Sequence, residues 1–453
     1  MTDASTPAME TPAEGAQTLL ETLCRQPSVA VQGVGMAAMA DLTESLLRGA
    51  GFATRRFEAD GAPPAIYGEQ RGSGPYTLLL YNHYDVHPAE PIDLWDSPPF
   101  TPTVRDGKLY ARGVADNKGE FAARLAAIHA LRAADGTLPL TIRWIVEGEE
   151  EIGSPHFAAL TAPHAGLLRA DGLLWEGAGF DQTGRPELCL GTKGLLYVQF
   201  GARGTPTDTH SSAAPILPSA AWRLVGALGT LRGPDGRVRI PGFYDAVRPP
   251  TPAERAALAD QPNEDAELRE AFGVKDFVDG LSGTALLERL SYSPTCNISG
   301  LVSGYTGEGV EALLPARATA KLDLRLVPDQ DPRAIVAALR AHLAAEGYDD
   351  VRVTVLEEAA PVVTPLDDPF VGRIAAIAAS YQGTKPTVTP IVGATLPLLG
   401  ALRRHSGLSG LGAPGNPVYW ANNAHAPNEH IRLSDLHEAV AFNMHLFRSL
   451  GAD

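Results

Sequence analysis

The sequence is short of three things: cysteine, positive charge and long apolar runs. Its three cysteines, Cys24, Cys189 and Cys296, are odd in number and far apart in a chain of 453 residues. They offer neither a disulfide framework nor a cysteine-based metal site, and as small buried hydrophobes they suit a reducing compartment. Lysine and arginine number 37 against 53 aspartates and glutamates, giving a formal charge of −16. That balance argues against nucleic acid or an anionic membrane as a partner and favours a cationic ligand or a metal. No apolar run is long enough to span a bilayer, and the opening MTDASTPAMETPAEG lacks a basic stretch followed by an apolar one, so a cytoplasmic protein is expected. There is no internal repeat, and no low-complexity stretch beyond that loose N-terminus.

What is present is a globular balance, 44% hydrophobic and 20% charged, in a length that suits two or three domains at roughly 150 residues each. Two textures divide it. From residue 13 to about 193, helical patterns (Ala13 to Gln26, Met36 to Gly49, and a helix after Lys118) alternate with short apolar strands, TLLLY at 77–81 and LTIRWIV at 140–146. Such alternation predicts an α/β domain with a mainly parallel sheet and flanking helices, in which ligands sit outside the carboxyl ends of strands. From about 194, LLYVQFGARG at 195–204, ATAKLDLRLVP at 318–328 and VRVTVLE at 351–357 alternate like half-buried antiparallel strands, with helices near Ser219 to Leu231 and Pro332 to Glu346. An acidic, Pro-rich stretch from about 237 to 290 has few periodic segments and reads as an insertion. The first texture returns with helices at Pro369 to Ser380 and Leu433 to Leu450. The expected architecture is therefore a discontinuous domain (1–193 and 361–453) interrupted by a smaller α+β domain (194–360).

Polar residues gather at the strand ends of the first domain. NHYDVHP after TLLLY carries His83 and Asp85 on alternate positions; a lone His there would be a hydrogen-bonded structural residue, but a neighbouring carboxylate can orient a ligating imidazole. Asp116 in ARGVADNKGE precedes a helix and would by itself be an N-cap. WIVEGEEEIGS places Glu147, Glu149, Glu150 and Glu151 after an apolar run; taken alone, this is a solvated acidic loop. LLWEGAG adds Glu176, and HAPNEH adds His425 and His430. Gathered at one sheet edge these carboxylates would repel, and Lys118 alone could not neutralise them, whereas divalent cations would. Imidazole with carboxylate suits zinc, with manganese or cobalt as alternatives, and five ligands suit two metals sharing a bridging carboxylate. SGYTGEG at 303–309 lacks the ending of a phosphate loop and reads as a turn.

The set HYDV, ARGVADNKG, EGEEEIGS, LLWEGAG and HAPNE, in this order over nearly the whole chain, resembles the dinuclear zinc exopeptidases and deacylases, and among them most the carnosinase-type dipeptidases. The resemblance implies an inserted lid and dimerisation domain, and hence a homodimer. It implies that His83 and Glu176 complete one metal site, that Glu151 and His425 complete the other, and that Asp116 bridges both across a cis bond to Asn117. Asp85 would orient His83, and Glu150 would be the general base for a water between the metals. His87 and His430 are second choices to His83 and His425. In GTPTDTHSSA, His210 matches a residue that reaches the neighbouring subunit's active site to stabilise an oxyanion; without the resemblance it would be an ordinary turn residue. Arg325 in RLVP and Thr395 in GATLP match positions that hold a substrate's terminal carboxylate, and Asn297 in TCNISG is a candidate for the cleft. The function so implied is hydrolysis of dipeptides or short peptides with a free C-terminal carboxylate. The alternatives are an N-acyl amino acid deacylase on the same site and a non-catalytic binding protein on the same fold.

Overall fold

A computed structural model describes residues 11–452; residues 1–10 of the loose N-terminal stretch noted above fall outside them, and its last residues open the helix Pro12–Arg25. The fold class is the one expected. An eight-stranded sheet runs in the order Ala53–Phe57, Ala65–Gln70, Thr141–Glu147, Thr77–His83, Gly172–Trp175, Leu411–Gly412, Glu187–Cys189, Thr387–Thr389. Its central strands, from Thr141–Glu147 through Leu411–Gly412, are parallel, while Ala65–Gln70 joins them antiparallel. The apolar runs are continuous because both faces are covered. Leu78 and Leu80 pack into a core with the helices Pro12–Arg25, Met36–Gly49, Lys118–Asp135 and Leu433–Gly451. Leu79 and Tyr81, on the alternate face, pack with Phe157, Leu398 and Leu402.

The chain leaves this sheet after Cys189 and returns to it at Thr387. Between them, Asn297–Ser303, Arg317–Leu326, Gly194–Arg203 and Arg352–Ala359 form, in that order, a four-stranded antiparallel sheet. Alternate residues such as Leu196, Val198, Phe200, Leu322 and Leu324 meet Leu224 of the helix Ala220–Leu231 and Leu339 of the helix Pro332–Ala345.

Two segments differ from the reading above. The stretch 237–290 holds three short helices, Pro252–Ala259, Asp265–Phe272 and Gly283–Tyr292. They are largely exposed, so no apolar period marks them, although the first opens with a capping box between Thr251 and Glu254. Asn297–Ser303 is an edge strand, exposed along most of its length, and so lacks the alternation that identifies its neighbours.

Candidate metal centre

Three adjacent parallel strands deliver the polar cluster from their carboxyl ends. His83 ends Thr77–His83, Glu176 follows Gly172–Trp175, and Glu150 and Glu151 lie in the turn after Thr141–Glu147. That turn needs Gly148, because a Cβ there would sit 2.4 Å from the Tyr84 ring. Asp116 comes from the loop before Lys118–Asp135, its bond to Asn117 is cis, and the helix packs back on the loop so closely that a Cβ on Gly119 would lie 2.4 Å from Val114 O. His425 comes from the loop before the last helix.

His83 is 1% exposed. Its Nδ1 lies 3.2 Å from an Asp85 carboxylate oxygen and 3.1 Å from the Asp85 carbonyl. The same carboxylate accepts the backbone N–H groups of Glu150 (3.2 Å) and Glu151 (3.0 Å), so Asp85 fixes both the imidazole and the acidic turn. His83 Nε2 then faces Asp116 Oδ1 at 3.0 Å and Glu176 Oε2 at 3.1 Å. On the opposite side His425 Nε2 faces Asp116 Oδ2 and Glu151 Oε2, each at 3.1 Å. One nitrogen is shared between two carboxylate oxygens on each side, and Asp116 gives one oxygen to each.

A neutral imidazole has one N–H, and with Nδ1–H turned to Asp85 the Nε2 of His83 offers only a lone pair to two anions. Protons or metal cations must fill that gap. Without metal, burial opposes a charge on His83, but Glu176 and hydrogen bonds to Asp116 and Asp85 outweigh it and hold its pKa well above the ordinary value. His425 is pushed up to about 10 by Asp116 and Glu151. Asp116, though burial acts against its charge, is held well below the usual carboxylate range by His425 and His83. Glu150 is lifted well above that range by burial and by Glu176, and Glu176 is itself raised by burial. Glu176 Oε2 is buried and receives no hydrogen bond. Donor atoms of His83, Glu150 and Glu176, and separately of Asp116, Glu151 and His425, lie within 4.8 Å of one another. Imidazole and carboxylate at these spacings fit divalent metal ions.

Lys118 does not enter the cluster. It is buried, and its Nζ donates to Leu23 O and Gln26 O at the end of Pro12–Arg25. His87 stacks on His425 with ring centroids 4.8 Å apart and gives its backbone N–H to Glu151 (3.0 Å), but belongs to neither donor set. His430 is engaged with Tyr419, Lys108 and Asn428.

Of the two readings open to Glu147 and Glu149, solvated or hydrogen-bonded within the loop, the first is corrected and the second holds. Both are buried; Glu149 pairs with His156 at 2.9 Å, and Glu147 accepts from Tyr81 (2.9 Å) and Ser154 (2.8 Å). Burial pushes Glu147 up to about 8. A carboxyl raised from 4.5 stays protonated in the folded protein while the unfolded chain has lost its proton, so its contribution weakens as pH rises from about 4.5 to about 8. Glu147→Gln, which keeps an oxygen for Tyr81 and Ser154, is expected to flatten this part of the stability profile. Urea midpoints of both proteins at pH 6 and pH 8.5 check it, and parallel profiles would contradict it.

Glu429 escaped the reading of HAPNEH, which attended to its histidines. It is fully buried and accepts the N–H groups of Gly113, Ala115 and Asp116 (2.8, 2.8 and 3.1 Å) and a bond from Arg112 (2.8 Å). It therefore ties the loop of Asp116 to the loop of His425.

A cavity of about 370 Å3 opens on Asp116, Glu150, Glu176 and His425 and is also lined by Thr395. Arg325 Nη1 donates to Thr395 Oγ1 at 3.0 Å, so Arg325, far away in sequence and not itself lining the cavity, is in contact with a residue that does. Asn297 does not line it; its amide donates to Asp323 at 3.2 Å on the edge strand, beside a separate cavity of about 1030 Å3. His210 is exposed, bonded to Ser212 at 2.9 Å, and is not among the residues lining the metal-centre cavity.

The chain is similar to several known peptidases. The mouse protein Beta-Ala-His dipeptidase is 32% identical over 290 residues, 62% of this chain and 58% of that protein. The Cys-Gly metallodipeptidase dug1 of Schizosaccharomyces pombe is 30% identical over 287 residues, 62% of this chain and 60% of its own. The match thus spans less than two thirds of either relative. Among solved structures, an M20 family metallo-carboxypeptidase, Sso-CP2 from Sulfolobus solfataricus, superposes with a TM-score of 0.91 at 34% identity, covering 97% of this chain and 99% of that one. Human carnosine dipeptidase 1, at 24% identity and a TM-score of 0.80 over 97% of each chain, shares the fold. The model of Peptidase family M20/M25/M40 matches residues 79–449, and with more than three quarters of its length inside that match the chain belongs to this family.

Proposed function

We propose that the protein is a metal-dependent peptidase that hydrolyses dipeptides or short peptides with a free C-terminal carboxylate. The observation that carries this reading is the pair of imidazole–carboxylate triads meeting on Asp116, with Glu150 beside one of them. His83 and Glu176 would hold one ion, Glu151 and His425 the other, and Asp116 both; zinc suits these donors, with manganese or cobalt as substitutes. Such ions, when bound, lower the pKa of a water and polarise the scissile carbonyl.

The chain's own residues do the rest. Asp85 keeps His83 in the tautomer that presents Nε2 to the centre. Glu150 takes a proton from the attacking water as the C–O bond forms and returns it to the amine nitrogen as the C–N bond breaks. A carboxylate beside the attacking water can receive that proton and pass it on. Thr395, which lines the cavity, and Arg325, bonded to it, receive the terminal carboxylate, a planar fork being the natural partner of that group. His210 would act on a neighbouring subunit's site.

Arg325→Ala is expected to raise KM for a dipeptide about 10- to 100-fold with kcat little changed, the scale of a lost charge-assisted hydrogen bond. The function is tested by assaying dipeptides beside their C-terminal amides and beside N-acetyl and N-succinyl amino acids. Cleavage of free dipeptides with loss on amidation supports the reading; cleavage of acyl amino acids alone would make the protein a deacylase.

A homodimer through the segment 194–360 is part of this proposal. The exposed edge strand Asn297–Ser303 presents Ile298, Leu301 and Val302, and Trp222 and Val225 are exposed on the helix Ala220–Leu231. Unpaired edges with apolar side chains invite pairing with another strand. Sedimentation should give a dimer, and Val302→Lys should weaken it; a monomer at micromolar concentration would remove the reading. No described helix is long and apolar enough to cross a membrane, and the three unpaired cysteines support a cytoplasmic setting.

A further inference from the structure

We infer that Arg124 and Glu120, two buried residues of the helix Lys118–Asp135, are positioning residues for the half of the metal centre formed by His83 and Glu176. The inference rests on the two-metal reading above. Arg124 is 2% exposed and Glu120 is fully buried. One guanidinium nitrogen, Nη1, donates to Tyr81 O and Asn82 Oδ1, both at 2.8 Å. The other, Nη2, donates to Trp175 O at 3.2 Å and pairs with Glu120 Oε1 at 2.7 Å. Glu120 Oε2 accepts from the side-chain amides of Asn117 (2.9 Å) and Asn82 (3.3 Å).

Each contact falls beside a residue of the centre. Asn82 precedes His83, Trp175 precedes Glu176, and Asn117 follows Asp116. The two strand ends that carry His83 and Glu176 are bridged by one planar group whose nitrogens have a fixed separation, so the guanidinium sets the spacing at which those two side chains leave the sheet. None of these bonds reaches Glu151 or His425, which are held instead by Asp85, His87 and the loop that Glu429 secures. Arg124 therefore acts on one half of the centre, and Glu120 acts on that half through Arg124 and Asn82 while its bond to Asn117 also touches the loop of the shared Asp116.

Packing alone does not account for it. Desolvating a guanidinium and a carboxylate is costly, and well-packed apolar residues often replace a buried pair at no loss. What an apolar pair could not supply is the set of directional bonds to two strand ends and to Asn117. Residues that orient ligands from behind typically control metal affinity by about 10- to 100-fold.

The test is a titration of metal-free protein with zinc in competition with a chromophoric chelator, alongside the unfolding midpoint of the same metal-free samples. Wild type should bind two equivalents. Arg124→Lys keeps a charge for Glu120 but has one nitrogen in place of two, and should bind one equivalent as wild type does and the other about 10- to 100-fold more weakly. Glu120→Gln keeps an acceptor for Asn117 and removes the charge; it should weaken the same equivalent in the same direction, and it decides the matter if Arg124→Lys does not fold. Two equivalents bound as tightly as in wild type, or both weakened alike, by a folded variant would overturn the inference alone. Fewer than two equivalents on wild type would overturn the two-metal reading and this inference with it.

Discussion

Glu150→Gln is expected to lower kcat by on the order of 10^2 to 10^4-fold while the metal content of the protein stays unchanged. The substitution keeps size and shape, and the backbone N–H that places residue 150 is held by Asp85 and is untouched. What is lost is the capacity to take up a proton. Glu150 also lies within ligand distance of His83 and Glu176, so a competing role as a third ligand is open to test. If Glu150→Gln cost the protein a metal ion along with its activity, the residue would be a ligand; if activity survived, it would not be the base.

Removing metal is expected to have an effect as large. Dialysis against a chelator should abolish hydrolysis, and zinc, cobalt or manganese should restore it. A second consequence follows from the charges left behind. Without metal, protons on His83 and His425 hold four carboxylates together, and both imidazoles titrate above their ordinary value, His425 at about 10. A raised imidazole stabilises fully below its unfolded pKa of about 6.5, and that contribution is lost as pH rises through the folded value. Metal-free protein should therefore lose stability between about pH 6.5 and pH 10 more steeply than loaded protein, in which cations take the protons' place. Thermal melts of both forms across that range check it, and equal slopes would contradict it.

The candidate metal centre is legible as a cluster because its imidazoles and carboxylates are carried by short words at strand ends: HYDV, ADNKG, EGEEE, LLWEG and HAPNE. A sheet whose strands are buried on both faces writes itself as continuous apolar runs, and the residues just past each run must lie at its edge. What lies behind the centre was not legible. Glu120 and Arg124 are four apart on a helix, the spacing of an ordinary surface ion pair; only burial of the whole first half of that helix turns them inward. Glu429 sits in a loop full of polar residues, and nothing local tells that its oxygens collect three backbone N–H groups from residues more than 300 positions earlier. Whether Glu147 and Glu149 are solvated or hydrogen-bonded is open in the sequence for a related reason: their partners Tyr81, Ser154 and His156 are supplied by folding, and a run of glutamates does not name them. The three helices between 237 and 290 and the edge strand Asn297–Ser303 were missed because exposed elements carry no apolar period.

The central claim is that five residues from separate parts of the chain, His83, Asp116, Glu151, Glu176 and His425, hold two divalent ions. Equilibrium dialysis of metal-free protein against zinc, with the bound metal counted per chain, tests it most directly. The account predicts two ions per chain in the wild type, one in His83→Ala and one in His425→Ala. Two ions retained in either variant, or fewer than two in the wild type, would contradict it.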